Sequence, residues 1–232
     1  MTERVTYTRD EQIAVITMDD GKVNALGPDM LAALNDALDR AQGEDAGAVV
    51  IAGNDRVFSG GFDLKVFRSG DVQASIDMLK AGFELSHRLL SFPKPVVAAC
   101  TGPAIAMGSF LVCSTDHRIS APAYSFQANE VAIGMVLPYP ALEVMKLRLT
   151  RSAYQQAVGL AKTFFGETAL AGGWVDEIAM PDLVLERARE SAREFATTLH
   201  AKAHHACKMR ARQQTLDAMK AGIDNIHTEF GL

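Results

Sequence analysis

The sequence predicts an α/β protein with parallel strands. Two observations carry that prediction. Ala48–Ala52 and Val96–Cys100 are continuous apolar runs of strand length, the kind a sheet covered on both faces requires. Each is followed by a glycine-containing loop and then by helical periodicity, so strand, loop and helix recur.

The elements follow in order. Arg4–Thr8 and Ile13–Met18 read as short strands joined by the polar turn Arg9-Asp10-Glu11-Gln12. Asp19-Asp20-Gly21 breaks that pattern. Pro28 suits the first turn of a helix, where its missing N–H costs nothing. Met30, Leu31, Leu34 and Leu38 then sit at helical spacing, with Gly43 as the stop. Residues 53–67 read as a loop and Val72–Leu90 as a helix, fenced from the second strand by Pro93 and Pro95. From Ala141 onward the text is mostly helical: Ala141–Leu149, Ser152–Leu160, Glu167–Gly172, and a long stretch from Asp182 to about Ile226. A helical third of this kind serves either as an assembly surface or as a cap on one core. No low-complexity segment or Pro/Gly/Ser-rich linker divides the 232 residues, which read as a single domain.

Composition narrows the partners. With 48% hydrophobic and 22% charged residues the chain can bury a full core. A formal charge of −5 argues against nucleic acid or an anionic membrane as the main partner. No stretch approaches the roughly 18 consecutive apolar residues of a membrane span, and the first residues lack signal architecture. Cys100, Cys113 and Cys207 are widely spaced in apolar or helical text, which fits buried thiols in a reducing cytoplasm. No phosphate loop, dinucleotide fingerprint or nucleophile elbow is present. His200, His204 and His205 cluster on a predicted helix, but a solvated helix face explains them better than a metal site.

Three segments stand out for chemistry. In Phe58-Ser-Gly-Gly-Phe-Asp-Leu-Lys65, paired glycines let the backbone turn sharply and leave the next N–H free to point into a cavity. In Thr101-Gly-Pro-Ala-Ile-Ala-Met-Gly-Ser-Phe-Leu111, small residues precede a helix beginning near Met107, with its unpaired N–H groups facing outward. Two such amides, brought together, make an oxyanion hole. In the third segment, Tyr124–Gly134, Glu130 is the only carboxylate between Asp116 and Glu143. Burial there would raise its proton affinity and suit it to shuttle a proton. The residues alone equally allow an exposed glutamate at a helix start.

These landmarks, in this order and separation, resemble the crotonase family, the enoyl-CoA hydratase/isomerase superfamily. They are Lys22-Val-Asn-Ala-Leu26, Phe58–Lys65, Lys94-Pro-Val-Val97, Gly102–Gly108, Cys113–Arg118, Asn129-Glu-Val-Ala-Ile-Gly134 and Gly173-Trp-Val-Asp-Glu-Ile178. The resemblance implies a spiral of strand–strand–helix turns over about residues 1–180 and a helical trimerisation region over about 181–232. It implies homotrimers or dimers of trimers and an acyl-CoA thioester substrate, with no separate cofactor because coenzyme A is part of the substrate. By the same resemblance, the Phe62 and Met107 amides would hold the thioester oxygen. Lys22, Ala25, Leu26, Gly60, Asp63, Leu64 and Lys65 would line the coenzyme A site.

One departure bears on the reaction. Hydratases of the family carry two glutamates, and counting along the motifs puts the first at Phe110 and the second at Glu130. Phe110 would line a drier pocket or simply pack its helix; in either role it supplies no acid. A single carboxylate favours moving the double bond of a 3-enoyl thioester to the 2-position, a step of fatty-acid β-oxidation. The alternatives are a hydratase with an atypical water-activating group, a decarboxylase, dehalogenase or thioester hydrolase on the same fold, and a non-catalytic acyl-CoA binder. Met135-Val-Leu-Pro-Tyr-Pro140 replaces the glycine-rich turn of hydratases and brings Tyr139 near this region, as a surface residue or as a donor.

Overall fold

Alternation of apolar side chains along two strands explains how the main sheet is covered. In the computed structural model, which describes residues 4–230, β2 (Ile13–Met18) and β3 (Ala48–Ala52) lie parallel with Ile13 opposite Ala48. Ile13, Val15, Ala48, Val50 and Ala52 face one way, into a layer closed by Val184, Ala188 and Ala192 of α8 (Val184–Thr198). Ala14, Ile16, Val49 and Ile51 face the other way, into a larger core with α1 (Pro28–Gly43) and α3 (Val72–Ser91). Burial on both faces is why β3 reads as an unbroken apolar run.

The six-stranded sheet runs β1 (Val5–Asp10), β2, β3, β4 (Val96–Ala99), β6 (His117–Ser120), β9 (Glu177–Ile178). All neighbours are parallel except the β1–β2 hairpin. A second sheet has the order β5 (Ala104–Ile105), β7 (Ser125–Gln127), β8 (Phe164–Phe165). Strand β4 joins the large sheet and β5 the small one; after α4 (Met107–Cys113), β6 and β7 repeat that division. These are the strand–strand–helix turns of the expected spiral.

Several expected boundaries move. The hairpin is tighter than expected: β1 continues to Asp10, leaving only Glu11 and Gln12 in the turn, with Glu11 at φ +51°. The loop after β3 ends in a short helix, α2 (Leu64–Arg68), because the Asp63 carboxylate accepts from the Lys65 N–H and caps it. The helices α5 (Tyr139–Arg148), α6 (Arg151–Leu160) and α7 (Gly166–Gly172) fall close to where periodicity put them. The long carboxy-terminal stretch divides into α8 and α9 (Ala201–Asp224), where His200 Nδ1 accepts from the Ala203 N–H as the cap. Cys100 and Cys113 are buried as expected, and burial pushes the Cys113 thiol up to about 11. Cys207 departs from that expectation: it lies exposed on α9. No described helix is long and apolar enough to cross a membrane.

Two landmark motifs are structural ties. Lys94 Nζ donates to the carbonyls of Ala41 and Glu44, both at 2.7 Å, and closes the end of α1. Arg118 grips Asp176 with two guanidinium nitrogens, at 2.9 and 2.7 Å, which joins the Cys113–Arg118 and Gly173–Ile178 segments.

Candidate active site

Four segments that follow strands meet, and a chain of hydrogen bonds links them. The first crossing joins Lys22–Leu26 to Phe58–Phe62. Asn24 is fully buried; its side-chain amide donates to the carbonyls of Met18 and Phe58, both at 3.1 Å. Ser59 Oγ donates to the Asn24 carbonyl at 2.8 Å and accepts from the Gly61 N–H at 3.1 Å. The Leu26 N–H donates to the Gly61 carbonyl at 2.8 Å. Asp20 braces this strap from beneath. Burial would raise its carboxyl, but N–H bonds from Ala25, Asn24 and Lys22 outweigh burial and hold it below its ordinary range. Asn24 and Ser59 are supports that sequence reasoning did not single out. Their signal was present only as small polar residues inside otherwise apolar motifs.

The second crossing seats this loop on the one after β4. The Ile105 N–H donates to the Ser59 carbonyl at 3.0 Å, and Ser59 bridges to Ala104. Ala106 then takes φ +49°, ψ −125°, a conformation that costs an alanine roughly 1–3 kcal/mol. Its neighbours hold it there: the Ala106 N–H donates to the Gln127 carbonyl at 2.8 Å, and Ser109 Oγ donates to the Ala106 carbonyl at 2.7 Å. The strained turn makes Met107 the first residue of α4, whose N–H has no acceptor within the helix.

Gly61 is a point of close approach between these loops. At φ +92°, a Cβ placed on it would stand 3.0 Å from Ala106 Cβ, 3.0 Å from the Ile105 carbonyl oxygen and 3.5 Å from the Met107 nitrogen. The Phe62 amide follows immediately. Among the described residues neither the Phe62 nor the Met107 N–H donates a hydrogen bond to any protein group.

The segment after β7 carries the carboxylate. Gln127, bonded to Ala106, ends β7 three residues before Glu130, which opens a 3₁₀ turn, Glu130–Ile133. Glu130 is 8% exposed, and among the described residues its buried Oε2 has no hydrogen-bond partner. Burial raises its pKa from 4.5 to about 7, against a smaller lowering by its own N–H. Of the two readings the residues left open, an exposed glutamate and a desolvated one, the structure has the second.

An open cleft of about 520 Å³ lies beside the first crossing. Lys22, Ala25, Gly60, Phe62, Asp63, Leu64 and Lys65 line it, with Arg4 adding a further cation. Leu26 and Phe110, expected at the ligand site, lie outside the cleft's lining and are 0% and 1% exposed. Leu26 is paired with Phe62 through its backbone, which leaves its side chain in the core. The Phe110 ring stacks on Phe83 of α3, with centroids 6.2 Å apart and planes 21° from parallel. Met107 and Glu130 also lie outside the cleft's lining. Tyr139 opens α5 and is 66% exposed.

Comparison with known proteins shows the family. A family model described as enoyl-CoA hydratase/isomerase matches residues 8–230. A probable enoyl-CoA hydratase, echA17 of Mycobacterium avium, is 30% identical over 227 residues, spanning 94% of this chain and 80% of its own length. The crystal structure of the enoyl-CoA hydratase EchA3 from Mycobacterium marinum is 66% identical, with a TM-score of 0.95 over 98% of this chain and 99% of that one. The apo structure of an enoyl-CoA isomerase from Mycobacterium tuberculosis is also 66% identical, with a TM-score of 0.96 over 99% of this chain and 100% of that one. The names divide between hydratase and isomerase, so kinship alone does not choose the reaction. On fold, site and kinship together, this chain is an enzyme of the enoyl-CoA hydratase/isomerase family.

Proposed function

We propose that the enzyme moves the double bond of a 3-enoyl-CoA thioester to the 2-position, as one step of fatty-acid β-oxidation. The observation that carries this reading is a single desolvated carboxylate, Glu130, with Phe110 where a second acid would stand in a hydratase. Hydration must both activate water and deliver a proton to the α-carbon, and two carboxylates divide those tasks. An allylic shift needs one. Glu130 takes a proton from the α-carbon, and the C–H electron pair moves into a dienolate whose charge rests on the thioester oxygen. The Phe62 and Met107 amides meet that oxygen, each donor contributing about 2.7–4 kcal/mol in sites of this type. The protonated Glu130 then returns the proton to the γ-carbon, leaving the double bond between the α- and β-carbons. The reaction is proton-neutral overall and needs no cofactor.

A glutamate with a pKa near 7 suits both halves of that cycle, because donation and acceptance are then nearly balanced. Lys22, Lys65 and Arg4 on the cleft give the coenzyme A phosphates their counter-charge. The same reading assembles the chain into a trimer or a dimer of trimers, which light scattering would count. Incubation of purified protein with 3-enoyl-CoA and, separately, 2-enoyl-CoA tests the chemistry. Isomerisation of the first with little hydration of the second is the expected result; fast hydration without isomerisation overturns it.

A further inference from the structure

Helix α3 touches both loops that carry the proposed oxyanion donors, and it does so at one bare position. Gly82 lies inside this 20-residue helix and is buried. Glycine is the poorest helix former after proline, so a glycine in a helix interior calls for a packing reason. The reason is visible. A Cβ on Gly82 would fall 2.5 Å from Phe62 Cε1 and 2.6 Å from Phe62 Cζ, and 3.6 Å from the Met107 methyl carbon. The side chains of the two proposed oxyanion residues therefore come together at the same Cα.

The Phe62 ring, half-buried and lining the cleft, has aromatic neighbours on α2 and α3. Phe67 and Phe83 stand edge-on to it, each 6.2 Å between centroids, at 88° and 69°. Phe83, the next residue along α3, stacks in turn on Phe110 of α4, the helix that Met107 begins. Positions 82 and 83 of one rigid helix thus contact Phe62 on one side and α4 on the other.

Resting on the oxyanion reading above, we infer that Gly82 is a positioning residue for the isomerisation. Its missing side chain is the common seat of Phe62 and Met107 and sets the separation of their two amides. A methyl group there drives the ring off α3 and carries the Phe62 backbone with it. Ångström-scale misplacement of a catalytic group costs about 100-fold in rate.

The test compares Gly82→Ala, Phe62→Leu and the double variant, with Gly159→Ala as control. Gly159 sits on α6, where an added Cβ meets nothing within 4 Å. Turnover is measured with a 3-enoyl-CoA. Infrared spectroscopy follows the carbonyl band of bound butyryl-CoA, isotope-labelled at the thioester carbon. The expected result is a fall in kcat of about 100-fold for Gly82→Ala, with KM little changed and the carbonyl band moved back towards its free position. Phe62→Leu vacates the space that the added methyl would fill and keeps the backbone amide, so the double variant regains most of the lost turnover and band shift. Should Gly82→Ala fold poorly, the comparison of Phe62→Leu with the double variant still decides: the added methyl raises turnover if the seat matters. Unchanged turnover and band in Gly82→Ala, or no recovery in the double variant, overturns the role of Gly82 while leaving the amide reading intact. A wild-type complex whose carbonyl band equals that of free thioester overturns the amide reading itself.

Discussion

Lys208, buried on α9, donates from Nζ to Asp116 Oδ2 at 2.7 Å, and Arg212 one turn later donates to the other oxygen at 2.8 Å. One carboxylate thus pins the last long helix to the start of β6, while also accepting from the Val96 N–H of β4. The three side chains are 13% exposed or less. Replacing Asp116 by Asn would strand two buried cations. The expected loss is about 3–5 kcal/mol, measured by urea unfolding; a loss below about 1 kcal/mol would show that the pair behaves as a surface bridge.

Glu130 links activity to stability with opposite signs. Its folded pKa of about 7 is raised above the ordinary 4.5 by burial. Its contribution to stability is therefore complete below about pH 4.5 and is lost as pH rises through about 7. Removing the charge with Glu130→Gln should leave stability unchanged near pH 4 and raise it by roughly 3 kcal/mol near pH 8, as read from thermal unfolding. The same variant should lose turnover by about 10²–10⁴-fold while still binding acyl-CoA. Equal stability of the two proteins at both pH values would mean that the carboxylate is solvated.

In the proposed mechanism, the carboxylate form of Glu130 is the base. Turnover under subsaturating substrate should rise with pH through about 7 and then level off, a profile that Glu130→Gln abolishes. A flat profile across that range would remove Glu130 from the proton-transfer step.

Phe110→Glu puts a carboxylate where the resemblance to hydratases calls for one. The new carboxylate would replace a ring that is 1% exposed and stacked on Phe83. Loss of the ring alone costs roughly 3–5 kcal/mol, and an unpaired buried charge adds to it. We expect a strongly destabilised protein with no gain in hydration. A folded variant that hydrates 2-enoyl-CoA would show instead that position 110 opens on the acyl group.

Gly61→Ala probes the crossing directly. At φ +92°, with Ala106 Cβ and the Ile105 oxygen both 3.0 Å from the new atom, the loop must move away from α4. Turnover should fall about 10²–10³-fold, with the protein still folded by circular dichroism. Activity within about tenfold of wild type, well short of a lost donor, would mean that the two loops can separate without cost to the chemistry.

Much of the architecture was legible because burial leaves a pattern. Strand β3 and helix α3 are written in runs and periods that survive in one dimension, and the motifs around Gly61 and Met107 are local. What escaped the sequence was local capping and long-range packing. Asp63 starts α2 through one hydrogen bond that composition does not announce. Asn24 and Ser59 matter because of partners more than thirty residues away. Leu26 and Phe110 sit in landmark motifs, and it is backbone pairing and ring stacking that place both side chains in the core.

The sequence by itself determined the α/β class, the order of the chemistry-bearing loops and a phenylalanine, not an acid, at position 110. These depend on residue type and spacing, which the chain carries wherever it folds. Only the tertiary structure decided that Glu130 is desolvated, that Gly61 abuts Ala106, and that Gly82 lies under both Phe62 and Met107. Those are distances between segments far apart in the chain, and they exist only once the spiral has closed and its side chains have excluded one another from the same space.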